Sequence, residues 1–198
     1  MPKTIDTFSS NSLKILDRSL EEFKNKYIYK LSLYKKETRA ILGEKFHSLI
    51  CAYLNDIPIE KMLFNLNNEE KTIWKKLQNY LKDKKQNFRY TEYPFLIKEK
   101  LNDKFYYLTG RMDAIYEENN TYTIYDWKTL NLPKNPKDDL QSVVYLYCAS
   151  KIFNTENIKL KYLSIEKLDF AEITFDKQNT YKQKIDGIIE KYYFWLFY

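Results

Sequence analysis

The feature that most constrains the fold is a change in the spacing of apolar residues near residue 88. Upstream of it, apolar side chains recur every three or four positions, which is the spacing of one face of a helix. Downstream, they alternate in short runs rich in β-branched and aromatic residues, as in half-buried strands. Helices are predicted over residues 10–27, 38–54 and 69–82, with Ser10 and Ser12 as candidate N-terminal caps, and strands over 91–97, 105–116 and 121–128.

The residues between these runs predict how the elements connect. Asn102-Asp103 and Asn119-Asn120 separate the three strands, which indicates an antiparallel meander. A proline-interrupted loop at 132–137 then leads to a helix ending at about Phe153, strands at 158–165 and near 170–175, and a final helix. This order predicts an α/β fold in which helices flank a mixed β-sheet, preceded by an N-terminal helical segment.

Length and composition favour one domain over residues 1–198, mainly helical over 1–86 and containing the sheet core and its flanking helices over 87–198. A hydrophobic content of 44% supplies a core, and the presence of only 3 glycines and 5 prolines leaves little material for a linker. These numbers exclude a disordered or fibrous chain.

Charge and cysteine content say less about function. The net charge of +6 suits a phosphate-bearing partner, but lysine is spread along the whole sequence, so charge alone does not indicate DNA binding. Cys51 and Cys148 lie in apolar helical surroundings with no Cys or His at metal spacing, which predicts buried thiols in a reducing cytoplasm. No apolar run is long enough for a membrane span and no leader pattern is present, so we expect a cytoplasmic protein with no membrane partner.

Two neighbouring segments, 110–114 and 125–129, carry the residues that suggest chemistry. Because side chains alternate along a strand, Asp126 and Lys128 should share one face while Trp127 is buried on the other. A hairpin connection would place Asp113 beside Asp126, and two such carboxylates need a cation between them. Oxygen ligands favour Mg²⁺ or Mn²⁺, the carbonyl of Trp127 adds another oxygen, and an adjacent ammonium from Lys128 suits phosphodiester cleavage.

Each of these residues also has a plainer interpretation. An Asp-x-Lys sequence on a strand is usually a solvated face, and a lone His47 is more often a half-buried histidine with satisfied hydrogen bonds than a ligand. Gln141 and Tyr145, four apart on one helical face, are compatible with ordinary helix surface. The combination of all these residues favours a nuclease site.

In family order, these motifs resemble the RecB-like branch of the PD-(D/E)xK nuclease superfamily, which includes AddA/AddB nuclease domains and CRISPR-associated RecB-like exonucleases. The resemblance is carried by 42–47 with its histidine, Gly110-x-x-Asp113, the strand 126–129 and Gln141-x-x-x-Tyr145, and it covers about four-fifths of the chain. It implies a restriction-endonuclease-like core. Glu92 occupies the place of a glutamate that often opens the family's first core strand, and we interpret it as structural.

The resemblance also implies roles for the motif residues. Asp113, Asp126, the Trp127 carbonyl and His47 would hold one or two Mg²⁺ or Mn²⁺ ions, and Lys128 would activate water. Gln141 and Tyr145 would position the scissile phosphate or the lysine. The basic residues Arg111, Lys134 and Lys137 would hold the DNA backbone.

Many iron-sulfur members of the family place a cysteine in the opening helix and three near the C-terminus. This chain has Ser19 at the first of these positions and no cysteine after Cys148, so no iron-sulfur cluster is expected. The aromatic run 192–198 replaces the late cysteines. It is interpreted as a helix packing on the core, and the alternative is a stacking surface for a partner or single-stranded nucleic acid.

The sequence therefore predicts a metal-dependent DNA nuclease, expected to be an exonuclease, acting on single- or double-stranded DNA with or without a protein partner. Two alternatives remain. One is a catalytically inert nucleic-acid-binding or partner-docking module with the same fold, which the complete set of polar residues argues against. The other is a metal-dependent hydrolase of a different substrate, which would use the same ligands.

Overall fold

The computed structural model describes residues 5–31, 38–129 and 131–197. Its helices are α1 (Ser10–Arg18), α2 (Leu20–Phe23), α3 (Thr38–Leu54), α4 (Glu60–Phe64), α5 (Asn68–Lys82), α6 (Leu140–Phe153) and α7 (Gln178–Phe197), with a π-helical turn at Lys24–Ile28 and a 3₁₀ turn at Lys85–Asn87. Its strands are β1 (Thr7–Ser9), β2 (Phe88–Leu101), β3 (Lys104–Glu118), β4 (Thr121–Lys128), β5 (Ile158–Ser164) and β6 (Phe170–Thr174).

The strands form one mixed sheet, as the order of elements predicts. The meander β2–β3–β4 is antiparallel, β5 pairs parallel with β4, and β6 returns antiparallel to β5. The short strand β1, which apolar spacing does not reveal, pairs parallel with β3 at Thr7–Ser9. The parallel β4–β5 pair requires a crossover, and α6 supplies it.

Each face of the sheet is covered by a separate apolar cluster. One cluster joins α1, α6 and α7 to the sheet through side chains such as Leu13, Val144 and Ile189. The other joins α3 and α5 through side chains such as Leu49 and Leu77. The sheet is therefore packed between two helical layers, α1, α6 and α7 on one face and α3 and α5 on the other.

The N-terminal cap and one cysteine differ from the sequence predictions. Ser9, not Ser10, caps α1: its Oγ accepts from the Ser12 amide, and the Ser12 Oγ accepts from the Ser9 amide at 2.8 Å. This reciprocal pair is a capping box, which needs the hydroxyls three residues apart. Cys148 is buried as predicted, but Cys51 is only half-buried because its side of α3 lines an open cleft.

The C-terminal aromatic run packs on the core, in agreement with the favoured interpretation. Tyr192 is buried among Phe8 and Phe23, and its hydroxyl accepts from the Ile5 amide at 2.9 Å. Trp195 packs against the same cluster, with the Lys24 ammonium 3.6 Å from its ring centroid. The packing of the last helix therefore ties the C-terminal part of the chain to the N-terminal segment; Tyr198 lies outside the described residues.

Candidate active site

A fork in the sheet creates the space for the candidate site. Strand β2 occupies one edge of β3 along almost its whole length, so β1 and β4 share the other edge. Pairing with β1 ends at Thr109 and pairing with β4 begins at Ala114, which leaves residues 110–113 of that edge without a strand partner. Side chains take over there: the Tyr145 hydroxyl donates to the Arg111 carbonyl at 2.8 Å, and Asp113 Oδ2 accepts from the Trp127 amide at 2.8 Å.

Asp126 and Lys128 point to the same side of β4, as strand alternation predicts, and Trp127 is buried on the opposite side. The Lys128 ammonium lies 2.6 Å from Asp126 Oδ2 and donates to the Gln141 side-chain oxygen at 3.0 Å. The amide nitrogen of Gln141 donates in turn to Asp126 Oδ1. One helix residue thus holds both the carboxylate and the ammonium of the Asp-x-Lys motif.

The surroundings of Asp126 disfavour the ionised form of its carboxyl group. Burial is the largest effect, and together with the nearby Asp113 carboxylate it raises the pKa of Asp126 to about 6 although Lys128 and His47 oppose the rise. Asp126 Oδ2 is buried, and it lies 2.6 Å from the Lys128 ammonium, which offsets part of its charge. A buried oxygen with a spare lone pair and an unfavourable charge is suited to a cation.

His47 reaches the fork from α3. Its Nε2 lies 3.0 Å from the Trp127 carbonyl oxygen, and its Nδ1 lies 3.5 Å from Asp113 Oδ1. Burial disfavours the charged ring, but the hydrogen bond and charge of Asp113, with the Trp127 carbonyl and Asp126, outweigh it and raise the pKa of His47. The imidazole therefore lies between the Trp127 carbonyl and the Asp113 carboxylate, with one ring nitrogen facing each.

Glu92 is the site residue that the sequence interpretation underrated. It has a φ of +50° within β2, a left-handed conformation that is uncommon for glutamate and that sets it apart from the regular ladder opposite Asp113. Ligand atoms of His47, Glu92 and Asp113 all lie within 4.8 Å of one another. Glu92 also forms an ion pair with Arg111, with Arg111 Nε 2.7 Å from Glu92 Oε2. The structure therefore brings Glu92 into the cluster, in addition to any structural role.

The other residues that the sequence predicts for the site differ in how close they lie to Lys128. Gln141 contacts the lysine as expected, whereas the hydroxyl of Tyr145 contacts the Arg111 backbone and not Lys128. The Tyr145 ring is buried, and its edge-on partner is Phe95, at 5.7 Å between centroids. Lys134 and Lys137 are exposed on the loop before α6. Tyr145 thus supports the strand that carries Asp113.

Gly110 is required by close packing beneath this support. A Cβ at residue 110 would lie 2.5 Å from Phe95 Cζ, and Phe95 itself is wedged against Tyr145. We expect Gly110→Ala to lower the free energy of unfolding by about 1–3 kcal/mol through overpacking. Urea unfolding measures the change, with Gly187→Ala as the control because a Cβ there meets no atom within 4 Å. Equal stability of the Gly110 variant and the parent would refute the packing argument.

Comparison with known proteins agrees with this geometry. The sequence matches the PD-(D/E)XK nuclease superfamily over residues 7–192, and the chain belongs to that family. Within that family it is similar to RecB: it is 25% identical over 190 residues to the RecBCD enzyme subunit RecB of Borreliella burgdorferi. That alignment covers 94% of this chain but only 14% of the RecB protein.

The solved structure SSO0001 shares the fold. It superposes with a TM-score of 0.53 and 21% sequence identity over 95% of this chain and 77% of the other. The mixed sheet flanked by helices is therefore the restriction-endonuclease-like α/β fold that the motifs predict. Membership of the superfamily supports nuclease activity in general. Among the described residues, no helix is both long enough and apolar enough to cross a bilayer.

Proposed function

We propose that this chain is a Mg²⁺- or Mn²⁺-dependent deoxyribonuclease that hydrolyses phosphodiester bonds as an exonuclease. The single observation that carries the proposal is the meeting of two groups at the fork in the sheet. One is the ligand cluster of His47, Glu92 and Asp113, and the other is the buried Asp126 with its ion-paired Lys128. Acidic ligands beside an ammonium are the parts that phosphodiester hydrolysis requires.

The donor atoms fit a hard divalent cation. Such an ion binds oxygen at about 2.0–2.6 Å, so two of its ligands lie no more than roughly 5 Å apart. The cluster of His47, Glu92 and Asp113 meets this limit, with a separation within 4.8 Å. Asp126 contributes a buried oxygen, Oδ2. Asp113, Asp126, His47 and the Trp127 carbonyl are the proposed ligands, and Glu92 is added to them on this geometry.

The roles of the protein groups follow from their contacts. When bound, the ion supplies a water of lowered pKa and offsets charge on the phosphate. Lys128 orients the attacking water and stabilises the negative charge that develops on the phosphoryl oxygens. Gln141 holds the Lys128 ammonium and the Asp126 carboxylate in register. Tyr145 keeps the backbone of Arg111, and with it Asp113, at the mouth of the fork.

Acid is expected to weaken metal binding at this site. The pKa of His47 is raised in the metal-free protein, and its proton must leave before the ring becomes a ligand. Mn²⁺ affinity should therefore rise with pH, by up to about tenfold per pH unit below that pKa for each proton released, and level off above it. Titration calorimetry in buffers of different ionisation enthalpy measures affinity and proton release together. An affinity that does not change between about pH 5.5 and 8 would contradict the assignment.

The activity itself is tested by digesting end-labelled linear DNA and circular DNA with Mn²⁺, and again with EDTA. We expect Mn²⁺-dependent release of short products from linear DNA and little cleavage of the circle, because an exonuclease needs an end. Cleavage of the circle would refute the exonuclease proposal. Absence of cleavage with intact DNA binding would instead favour an inert binding module, and DNA that neither binds nor is cut would favour another substrate.

A further inference from the structure

An open cleft of about 700 Å³ adjoins the ligand cluster, between α3 and the β2–β3 pair. Its volume is within the range of small-ligand sites. Its lining falls into two groups of side chains, and the second group named here is called the apolar wall. Four of its residues are charged or ionisable, namely Glu44, His47, Glu92 and Arg111, and a second group is apolar or weakly polar, namely Cys51, Ala52 and Ile57.

We propose that the apolar wall is a subsite for the nucleobase attached to the phosphate at the metal cluster, so that the bound nucleotide is unpaired. The inference rests on the proposed nuclease function and adds to it the form of the substrate. His47 and Glu92 belong to both the ligand cluster and the cleft, so a ligand in the cleft lies directly beside the proposed reaction centre.

The spacing along α3 places the two groups of side chains at a suitable separation. His47 and Cys51 are four residues apart, which puts them on one helical face about one turn, or about 5.4 Å, from each other. A phosphate beside His47 therefore has its own sugar and base within reach of Cys51. Arg111 lies at the same mouth with its guanidinium paired to Glu92 through Nε, and its side chain is 64% exposed, which leaves its outer edge for a phosphate.

Ile57 gives the apolar wall its outer part. Its side chain is 54% exposed, so about half of its apolar surface stays in water and is open to contact by a ligand. The inner part is held firmly: the Cys51 thiol lies 3.3 Å from the Thr91 hydroxyl, and Asn55 donates to the same hydroxyl at 2.6 Å. These contacts fix the end of α3 to β2 beside Glu92. The wall is therefore preorganised, which lowers the entropy cost of ordering it when a base binds.

The geometry also explains why the nucleotide should be unpaired. A base within a duplex is stacked and paired, so it can contact the apolar wall only by leaving the stack. That extrusion costs a few kcal/mol for paired DNA and least for a strand that is already single. A single strand or a frayed end should thus occupy the subsite, whereas an intact duplex should make phosphate contacts alone.

The labelling rate of the Cys51 thiol measures whether the subsite is occupied. Of its 2 cysteines, Cys51 is half-buried in the cleft and Cys148 is fully buried, so N-ethylmaleimide should label only Cys51. The Lys128→Ala chain is labelled in Mn²⁺ with three additions: an oligothymidylate, an abasic phosphodiester strand of equal length, and a blunt duplex. We expect the oligothymidylate to slow labelling of Cys51 about tenfold, and the other two to slow it less than about twofold.

Equal protection by the abasic strand, or by the duplex, would overturn the subsite, because phosphate contacts would then account for the effect.

A second experiment measures cleavage kinetics in chains that keep Lys128. Ile57→Ala should raise the KM for oligothymidylate about three- to tenfold with a smaller change in kcat, while Leu96→Ala should change neither. Leu96 is a suitable control because it is 63% exposed on β2 and does not line the cleft. An unchanged KM for the Ile57 variant would contradict the proposal.

The subsite and the nuclease proposal fail in different ways. Cleavage of DNA by the parent chain without base-dependent protection of Cys51 would remove the subsite and keep the nuclease. Base-dependent protection without any cleavage by the parent chain would keep the subsite and remove the enzymatic function.

Discussion

Lys128→Ala is expected to lower kcat for DNA cleavage about a thousandfold, the scale on which removal of one charge-stabilising group acts in preorganised sites. The ammonium lies 2.6 Å from the Asp126 carboxylate and is held by Gln141, so its position is fixed before substrate arrives. DNA affinity should change little, because backbone binding depends on many phosphate contacts. Single-turnover cleavage and equilibrium binding, measured on the same preparation, separate the two effects.

Lys159→Ala is the matched control. Lys159 is also a strand lysine paired to an acid, Glu172 at 3.3 Å, but it lies on β5 away from the fork. It should retain full turnover. Substantial cleavage by the Lys128 variant, within about tenfold of the parent, would show that the lysine is not part of the chemistry.

Asp126→Asn is expected to abolish Mn²⁺-dependent cleavage and at the same time to stabilise the metal-free protein near neutral pH. The pKa of the Asp126 carboxyl is raised to about 6 by burial and by Asp113, so its ionisation opposes folding. A shift of this size corresponds to about 3 kcal/mol between fully protonated and fully ionised carboxyl. Asparagine removes that charge, and Lys128, whose side chain is 27% exposed, keeps access to water.

The direction of the pH effect follows from linkage. The folded protein holds the Asp126 proton more tightly than the unfolded chain does, so stability falls as pH rises from about 4 through about 6 and then levels off. Denaturant unfolding in EDTA at about pH 5 and pH 8 should show this loss in the parent and a smaller loss in Asp126→Asn. If Asp126→Asn were less stable than the parent at the higher pH, the claim that ionisation of Asp126 opposes folding would be contradicted.

Local periodicity was sufficient for much of the fold and part of the site. Strand alternation correctly put Asp126 and Lys128 on one face and Trp127 on the other. Helical spacing put Gln141 and Tyr145 on one face of α6, and in the structure both contact strand groups. These results depend on neighbours within a few residues, which sequence patterns report directly.

Features that depend on distant pairing could not be predicted in this way. The fork exists because β1 stops at Ser9 and β4 joins β3 only from Ala114, a division set by tertiary packing. Glu92 adopts a positive φ, which glutamate rarely does, so no residue preference indicates this conformation. The bond from the Tyr145 hydroxyl to the Arg111 carbonyl also joins residues that are distant in sequence, so helical spacing does not report it. The role of Tyr145 in positioning the phosphate stays a prediction.

The most direct test is a crystal of the chain grown in Mn²⁺, with diffraction collected where manganese scatters anomalously. We expect an anomalous peak at the fork, about 2.0–2.6 Å from oxygens of Asp113 and Asp126, with the imidazole of His47 turned to it as a ligand. Nearby, Lys128 should remain within hydrogen-bonding distance of Gln141. A fully occupied crystal with no peak there, and with His47 still bridging Asp113 and the Trp127 carbonyl, would contradict the metal-dependent mechanism.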